Sequence, residues 1–195
     1  MKPYFDTNHV AGLLLLIISL AWGSMELAKT NNTRQDGIKV GGGGRQIAIL
    51  PVMAVATAAL YLGARFVPSA AIRPGAAVFA VGMVVLVSGL VLRGWSIMTL
   101  GSYFTGRVIV SSDQPVITAG PYRVLRHPSY TGMLLACLGI GLASANWVSV
   151  AAMLLLPLAV LFWRIRAEES ALAASVGDRY RAYAAQHKRL VPFVW

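Results

Sequence analysis

The sequence predicts an all-α integral membrane helical bundle of about five transmembrane helices, closed on one side by a helical C-terminal cap. Three observations predict it. The 195-residue chain is 57% hydrophobic and only 12% charged, roughly half the charged share of a water-soluble domain. Its apolar residues gather into runs of the order needed to cross about 30 Å of hydrocarbon. Its basic residues fall in the loops and tail between those runs. One membrane-embedded domain over 1–195 accommodates all of this. The formal net charge of +10 then reads as topogenic and lipid-facing, with membrane lipids as partners and nucleic acid excluded. Cys137 is the only cysteine, so an intrachain disulfide and a cysteine metal cluster are both excluded, and no metal is expected.

The first span runs from about Val10 to Ala28. Only Lys2 supplies a positive start, Asp6 offsets it, and the apolar stretch continues past Trp22 to Met25, which predicts an uncleaved helix and not a signal peptide. Glu26 lies close enough to the span's end to snorkel toward water. Gly41 to Gly44 follow as a flexible connector with no phosphate-loop pattern around them. The second span covers Ile47 to Phe66, and the third begins at Gly75 and reaches Leu92 to 95, with an extension toward Leu100. The fourth, Tyr130 to Ala143, is short and holds Gly132, Gly139 and Gly141, which admits a closely packed short helix or a re-entrant segment. Because Ser144-Ala145-Asn146 leads straight into the fifth run, Trp147 to Trp163, a tight helical hairpin is predicted, with Trp147 at the interface.

Charge asymmetry orients the bundle. With five crossings, Lys2, Arg65 and Arg73 share one side. Lys29, Arg34, Lys39, Arg45, Arg107, Arg123, Arg126 and the cations of the tail share the other. That second side is expected in the cytoplasm and the N-terminus outside. The polar segments 101–129 and 164–195 then lie on one face and can build one site.

The first of these carries Gly120-Pro121-Tyr122-Arg123-Val124-Leu125-Arg126-His127-Pro128-Ser129-Tyr130-Thr131-Gly132. Arginines, an imidazole and phenols held at a helix entrance mark a candidate functional site in a membrane protein. In the second, the last span continues as a helix through Arg164, Arg166, Glu168 and Glu169 until Gly177 and Asp178 interrupt it. Glu168 follows Arg164 by one turn, the spacing of a plain surface ion pair. Adjacent glutamates also point about 100° apart, so one can neutralise an arginine while the other reaches a ligand. Beyond, Tyr180 and Tyr183 share a helix face, which predicts rings packed on the cap with Arg179 and Arg181 turned outward.

The segment from Gly120 to Gly132, followed after a hairpin by Arg166-Ala167-Glu168-Glu169-Ser170-Ala171-Leu172 and Val176-Gly177-Asp178-Arg179-Tyr180-Arg181-Ala182-Tyr183, resembles the isoprenylcysteine carboxyl methyltransferase family. The likeness covers roughly the C-terminal half. It departs from the usual pattern at Val176, where an aromatic is commoner. The resemblance implies methyl transfer from S-adenosyl-L-methionine at a cytosolic site. His127, Pro128, Tyr130 and Gly132 are implied on one side of the cofactor, and Glu168 and Glu169 on the other. Carboxylates suit its sulfonium, ammonium and ribose hydroxyls, and histidine or arginine suits its carboxylate.

The acceptor implied is a lipid-like or prenylated substrate. The α-carboxylate of an isoprenylcysteine needs no general base, and Arg126 and Arg123 are the cations placed to hold it, Arg126 ahead of Arg123. A phospholipid amine or a thiol, the acceptors of related membrane methyltransferases, must lose a proton, and His127 or a tyrosine is then the base. Trp95, Tyr103, Phe104 and Met133 are candidate walls for the lipid tail, although such residues more often serve packing. From another class, a sterol-type reductase would use NADPH and should need more spans.

Overall fold

A computed structural model describes residues 8–31, 38–39, 49–104, 109–110 and 115–192. Gly41 to Gly44, Arg34, Arg45 and Arg107 lie outside these residues, as do the side chains of Glu26, Lys29 and Lys39. The described chain is almost wholly helical: α1 (His9–Asn31), α2 (Ile49–Phe66), α3 (Gly75–Leu100), α4 (Pro128–Ala143), α5 (Trp147–Ser175) and α6 (Asp178–Gln186). Three-residue 3-10 turns occupy Pro68–Ala70 and Gly101–Tyr103, and a four-residue one Gly120–Arg123. A two-residue antiparallel pair, β1 (Ile38–Lys39) with β2 (Ile109–Val110), sets Ile38 opposite Val110.

The helices expose large apolar side chains and bury small, polar and apolar ones together, which suits lipid as the surrounding solvent. Leu13, Leu16, Leu20, Val84, Val91, Met98, Leu155 and Trp163 are exposed, whereas Ala56, Leu86, Ser96, Ala136, Cys137, Ser149 and Leu161 are fully buried. α3 and α5 are long and apolar enough to cross a membrane; among the described side chains, further apolar stretches occupy His9–Gly23, Pro51–Phe66 and Pro128–Ala143. α1 starts where Asn8 Oδ1 accepts from the amides of Val10 (3.1 Å) and Ala11 (3.2 Å), a side-chain cap that satisfies donors the helix cannot.

The pairing of α3 with α4 rests on glycine. Gly82 and Gly89 of α3 face Gly139 and Gly132 of α4. A Cβ on Gly89 would lie 2.6 Å from the Gly132 carbonyl oxygen, and one on Gly132 would lie 2.6 Å from that of Gly89. The two backbones therefore touch, and dispersion between main chains replaces the hydrophobic drive that lipid cannot supply. Cys137, on the same helix, is buried beside Met53, sulfur to sulfur 4.0 Å.

The predicted hairpin between α4 and α5 is present. Asn146 caps α5 through Val148 N (2.9 Å) and Ser149 N (3.3 Å), and its amide donates to the carbonyls of Gly63 (3.3 Å) and Val67 (2.9 Å) at the end of α2. One buried side chain thus ties α5 to the end of α2. Ser149 adds a hydrogen bond to Leu60 O at 2.8 Å. Asn146→Ala strands these groups and is expected to cost about 1–3 kcal/mol. A lower midpoint of thermal unfolding in detergent, with Asn146→Asp recovering the cap but not the two carbonyl contacts, checks it.

α5 runs unbroken from the apolar stretch through Glu168 and Glu169 to Ser175, as its sequence predicted. Gly177, at φ +69°, turns the chain into α6. Tyr180 and Tyr183 are buried against Ala171 and Val176, with Arg179 and Arg181 exposed. One expectation is overturned: the described cations do not all stand between the apolar runs. Arg93 lies inside α3 and is only 4% exposed.

Candidate functional site

The site is built where the start of α4, the distal turns of α5 and the chain after α6 meet. Its first wall is shaped by local chemistry. Pro121 and Tyr122 are buried in the 3-10 turn, and Pro128 opens α4, where its missing amide hydrogen costs nothing. His127, held before that proline at φ −126° and ψ 53°, caps the helix through its carbonyl, which accepts from Tyr130 N (3.0 Å) and Thr131 N (3.1 Å). Its side chain is 8% exposed.

From α5, Glu169 is enclosed by donors. Its Oε1 accepts from His127 Nε2 (3.2 Å) and forms an ion pair with Arg126 Nη1 at 2.8 Å, and its Oε2 accepts from Arg189 Nε (2.9 Å) with Nη2 of the same guanidinium at 2.8 Å. A carboxylate only accepts, so the histidine proton sits on Nε2. Glu168 is different. Its Oε1 takes the Tyr130 hydroxyl at 2.6 Å, and that hydroxyl accepts from Arg164 Nε at 2.7 Å. Its other oxygen lies 3.7 Å from His127 Nδ1, beyond hydrogen-bond range, and so keeps acceptor capacity. The side chains are 19% and 11% exposed for Glu168 and Glu169. The His127 and Tyr130 rings stack at 5.6 Å between the two carboxylates.

Three arginines, 126, 164 and 189, thus face two glutamates, leaving one positive charge in excess if His127 is neutral. Beneath them Tyr183 reaches the carbonyls of Tyr122 (2.8 Å) and Leu125 (3.2 Å). Burial pushes its phenol up to about 12, against the lowering pull of Arg126, so it stays a donor and pins the loop. Burial also raises the Tyr180 phenol, again opposed by Arg126. Yet the Tyr180 hydroxyl and Arg126 Nε are buried without a hydrogen-bond partner in good geometry.

The structure brings His127, Tyr130, Glu168, Glu169 and Arg126 together. Pro128 is fully buried beside them. Gly132 turns its bare Cα to the backbone of α3 near Arg93. Arg123 is exposed and makes no polar contact among the described residues. Of the candidate wall residues, Met133 is buried in the bundle core, and Trp95 and Tyr103 are exposed.

Sequence reasoning counted Arg189 as a tail charge, gave Arg164 only a surface pair, and passed over Arg93. Arg93 Nη1 donates to Ser129 O (3.0 Å) and Oγ (2.9 Å), fixing the first turn of α4 from α3. Its signal was an arginine inside an apolar run, which rarely stands without a function or a partner.

A bundle of lipid-adapted helices with an ionised cluster gathered at the start of one helix and the distal turns of another is an integral membrane protein with a built polar site. Residues 80–174 match the model of the isoprenylcysteine carboxyl methyltransferase family. Protein-S-isoprenylcysteine O-methyltransferases B and A of Arabidopsis thaliana are 32% and 33% identical over 120 residues, in each case 58% of this chain and 58% of the relative. A solved structure of the eukaryotic intramembrane Ras methyltransferase superposes with a TM-score of 0.63 at 28% identity, over 80% of this chain and 55% of that one. The chain spans between about two fifths and three fifths of the length of the curated relatives it matches.

Proposed function

We propose that this protein transfers a methyl group from S-adenosylmethionine to the α-carboxylate of a C-terminal isoprenylcysteine, forming a methyl ester. The observation that carries the reading is the division of labour between adjacent carboxylates. Glu169 is saturated by protein donors, while Glu168 keeps one oxygen without a hydrogen bond, 3.7 Å from His127. The residues fit the cofactor. Glu168 offers an acceptor to an ammonium or ribose hydroxyl, and the surplus arginine charge suits one added carboxylate. His127, Tyr130 and Glu168 would line the cofactor, with Pro128 and Gly132 shaping the helix start and Glu169 holding the cations in place.

When bound, S-adenosylmethionine supplies an electrophilic methyl on a sulfonium. An acceptor carboxylate is already a nucleophile at neutral pH, so the protein's task is to align it and exclude water, a contribution of roughly 7–11 kcal/mol in well-oriented systems. Arg126 and Arg123 are proposed to hold that carboxylate. Arg164 joins them, because it follows Trp163, a side chain 70% exposed on the apolar surface, and so stands where a lipid-borne group arrives. The site then faces the cytoplasm, the N-terminus lies outside, and the whole of 1–195 works as one membrane-embedded domain.

Labelled S-adenosylmethionine offered with a farnesylated cysteine analogue, phosphatidylethanolamine and a simple thiol tests the reading. Base-labile label on the farnesylcysteine, with a rate nearly flat in pH, is expected. Transfer only to the amine or thiol, at a rate following a titrating group, overturns the acceptor; no transfer and no cofactor binding by folded protein overturns the enzyme.

A further inference from the structure

The chain after α6 does more than end the cap. Residues His187 to Leu190 run beside the loop that carries His127, with Leu125 and Lys188 forming a parallel bridge. The amide of Arg126 donates to Lys188 O (2.8 Å), the amide of His127 to Arg189 O (3.0 Å), and the Thr131 hydroxyl to Leu190 O (2.8 Å). From this strap the Arg189 side chain, 29% exposed, donates from Nε to one oxygen of Glu169 and brings Nη2 within 2.8 Å of it, while the other oxygen holds His127 Nε2. Two routes, one through main chain and one through side chains, therefore converge on the imidazole.

We propose that the strap is a structural part of the cofactor site and that Arg189 is its positioning residue, orienting His127 and Glu169 without meeting the ligand; this rests on the methyltransferase reading above. The convergence of Nε and Nη2 on Oε2 matters because a planar guanidinium holds that oxygen in one direction, whereas an ammonium only neutralises it. With Arg189 gone, Oε2 of Glu169 loses its donor and its ion pair, and the carboxylate is free to rotate toward Arg126, carrying the histidine with it. Ligand binding then has to restore the geometry, and the loss falls on affinity and not on the chemical step.

The experiment uses the full chain in nanodiscs. Arg189→Met is expected to raise the KM for S-adenosylmethionine about 10- to 100-fold, the scale of charge-assisted hydrogen bonds, while kcat changes less than about threefold. Arg189→Lys should recover only part of this. In the ligand-free protein, hydrogen exchange over 125–131 should quicken in Arg189→Met and, to a smaller extent, in Thr131→Val, which loosens the strap without touching charge. An unchanged KM in Arg189→Met, or unchanged exchange in both variants, overturns the proposal. If Arg189→Met does not fold, Thr131→Val decides, with faster exchange over 125–131 and a raised KM supporting the strap and wild-type values overturning it. The exchange pattern in the variants, together with folded wild-type protein that neither binds nor uses S-adenosylmethionine, removes the methyltransferase reading, and with it the role in cofactor binding.

Discussion

Glu169→Ala is expected to destabilise the cap by about 3–5 kcal/mol, the usual cost of removing one partner from a buried charge cluster. The carboxylate is 11% exposed and is the common partner of Arg126, Arg189 and His127. Without it two guanidinium groups face each other across the gap, and the strap loses its side-chain tie. Methyl transfer should fall to background, and a lower thermal midpoint should accompany the loss even in the absence of cofactor. Glu168→Gln gives the contrasting result. Its partner Tyr130 is still able to donate to an amide oxygen and to accept from Arg164, so the midpoint should stay within about 1 kcal/mol of wild type. Its affinity for S-adenosylmethionine, read by equilibrium binding, should fall about 10-fold or more. Equal thermal midpoints for the two variants would refute the division of roles between these neighbours.

That division was only half visible in the chain. Two adjacent glutamates on a helix had to point in different directions, and one was expected to meet an arginine; which one depended on residues distant in sequence. Arg189 was indistinguishable from any basic residue of a tail until the strap placed it beside Glu169, 20 residues away. Arg164 was recognisable as a partner of Glu168 at one turn, but the intervening Tyr130 hydroxyl came from another helix. Helix positions were easier to read because lipid imposes one rule, that every backbone group be satisfied within its own segment. The start of α4 at Pro128, two residues before the apolar run, followed from proline's place in a first turn. Arg93 was hidden by the same hydropathy that revealed its helix, since the apolar run around it set the span whether or not that one cation had a partner.

The glycines of α4 drew attention as marks of close packing, and the structure names their counterparts on α3. Gly139→Leu is expected to break the pairing, because even its Cβ would lie 2.6 Å from the Gly82 carbonyl oxygen and from Leu86 Cα. Both are backbone atoms and cannot turn aside as a side chain can. The cost should reach or exceed the roughly 1–3 kcal/mol ordinary for an overpacked core, and it should reach the site. α4 carries His127 and Tyr130 at its start, and Arg93 of α3 holds that start through Ser129. A helix pushed away from α3 along its length therefore lifts the imidazole from Glu169. Gly94→Ala supplies the control on α3, since a Cβ there meets nothing within 4 Å; its better helix propensity should leave stability equal or raise it by up to about 1 kcal/mol. Thermal unfolding and cofactor affinity, measured together in one lipid environment, should both collapse for Gly139→Leu and both persist for Gly94→Ala. Intact cofactor binding in a folded Gly139→Leu protein would mean that the site does not depend on the α3–α4 seam.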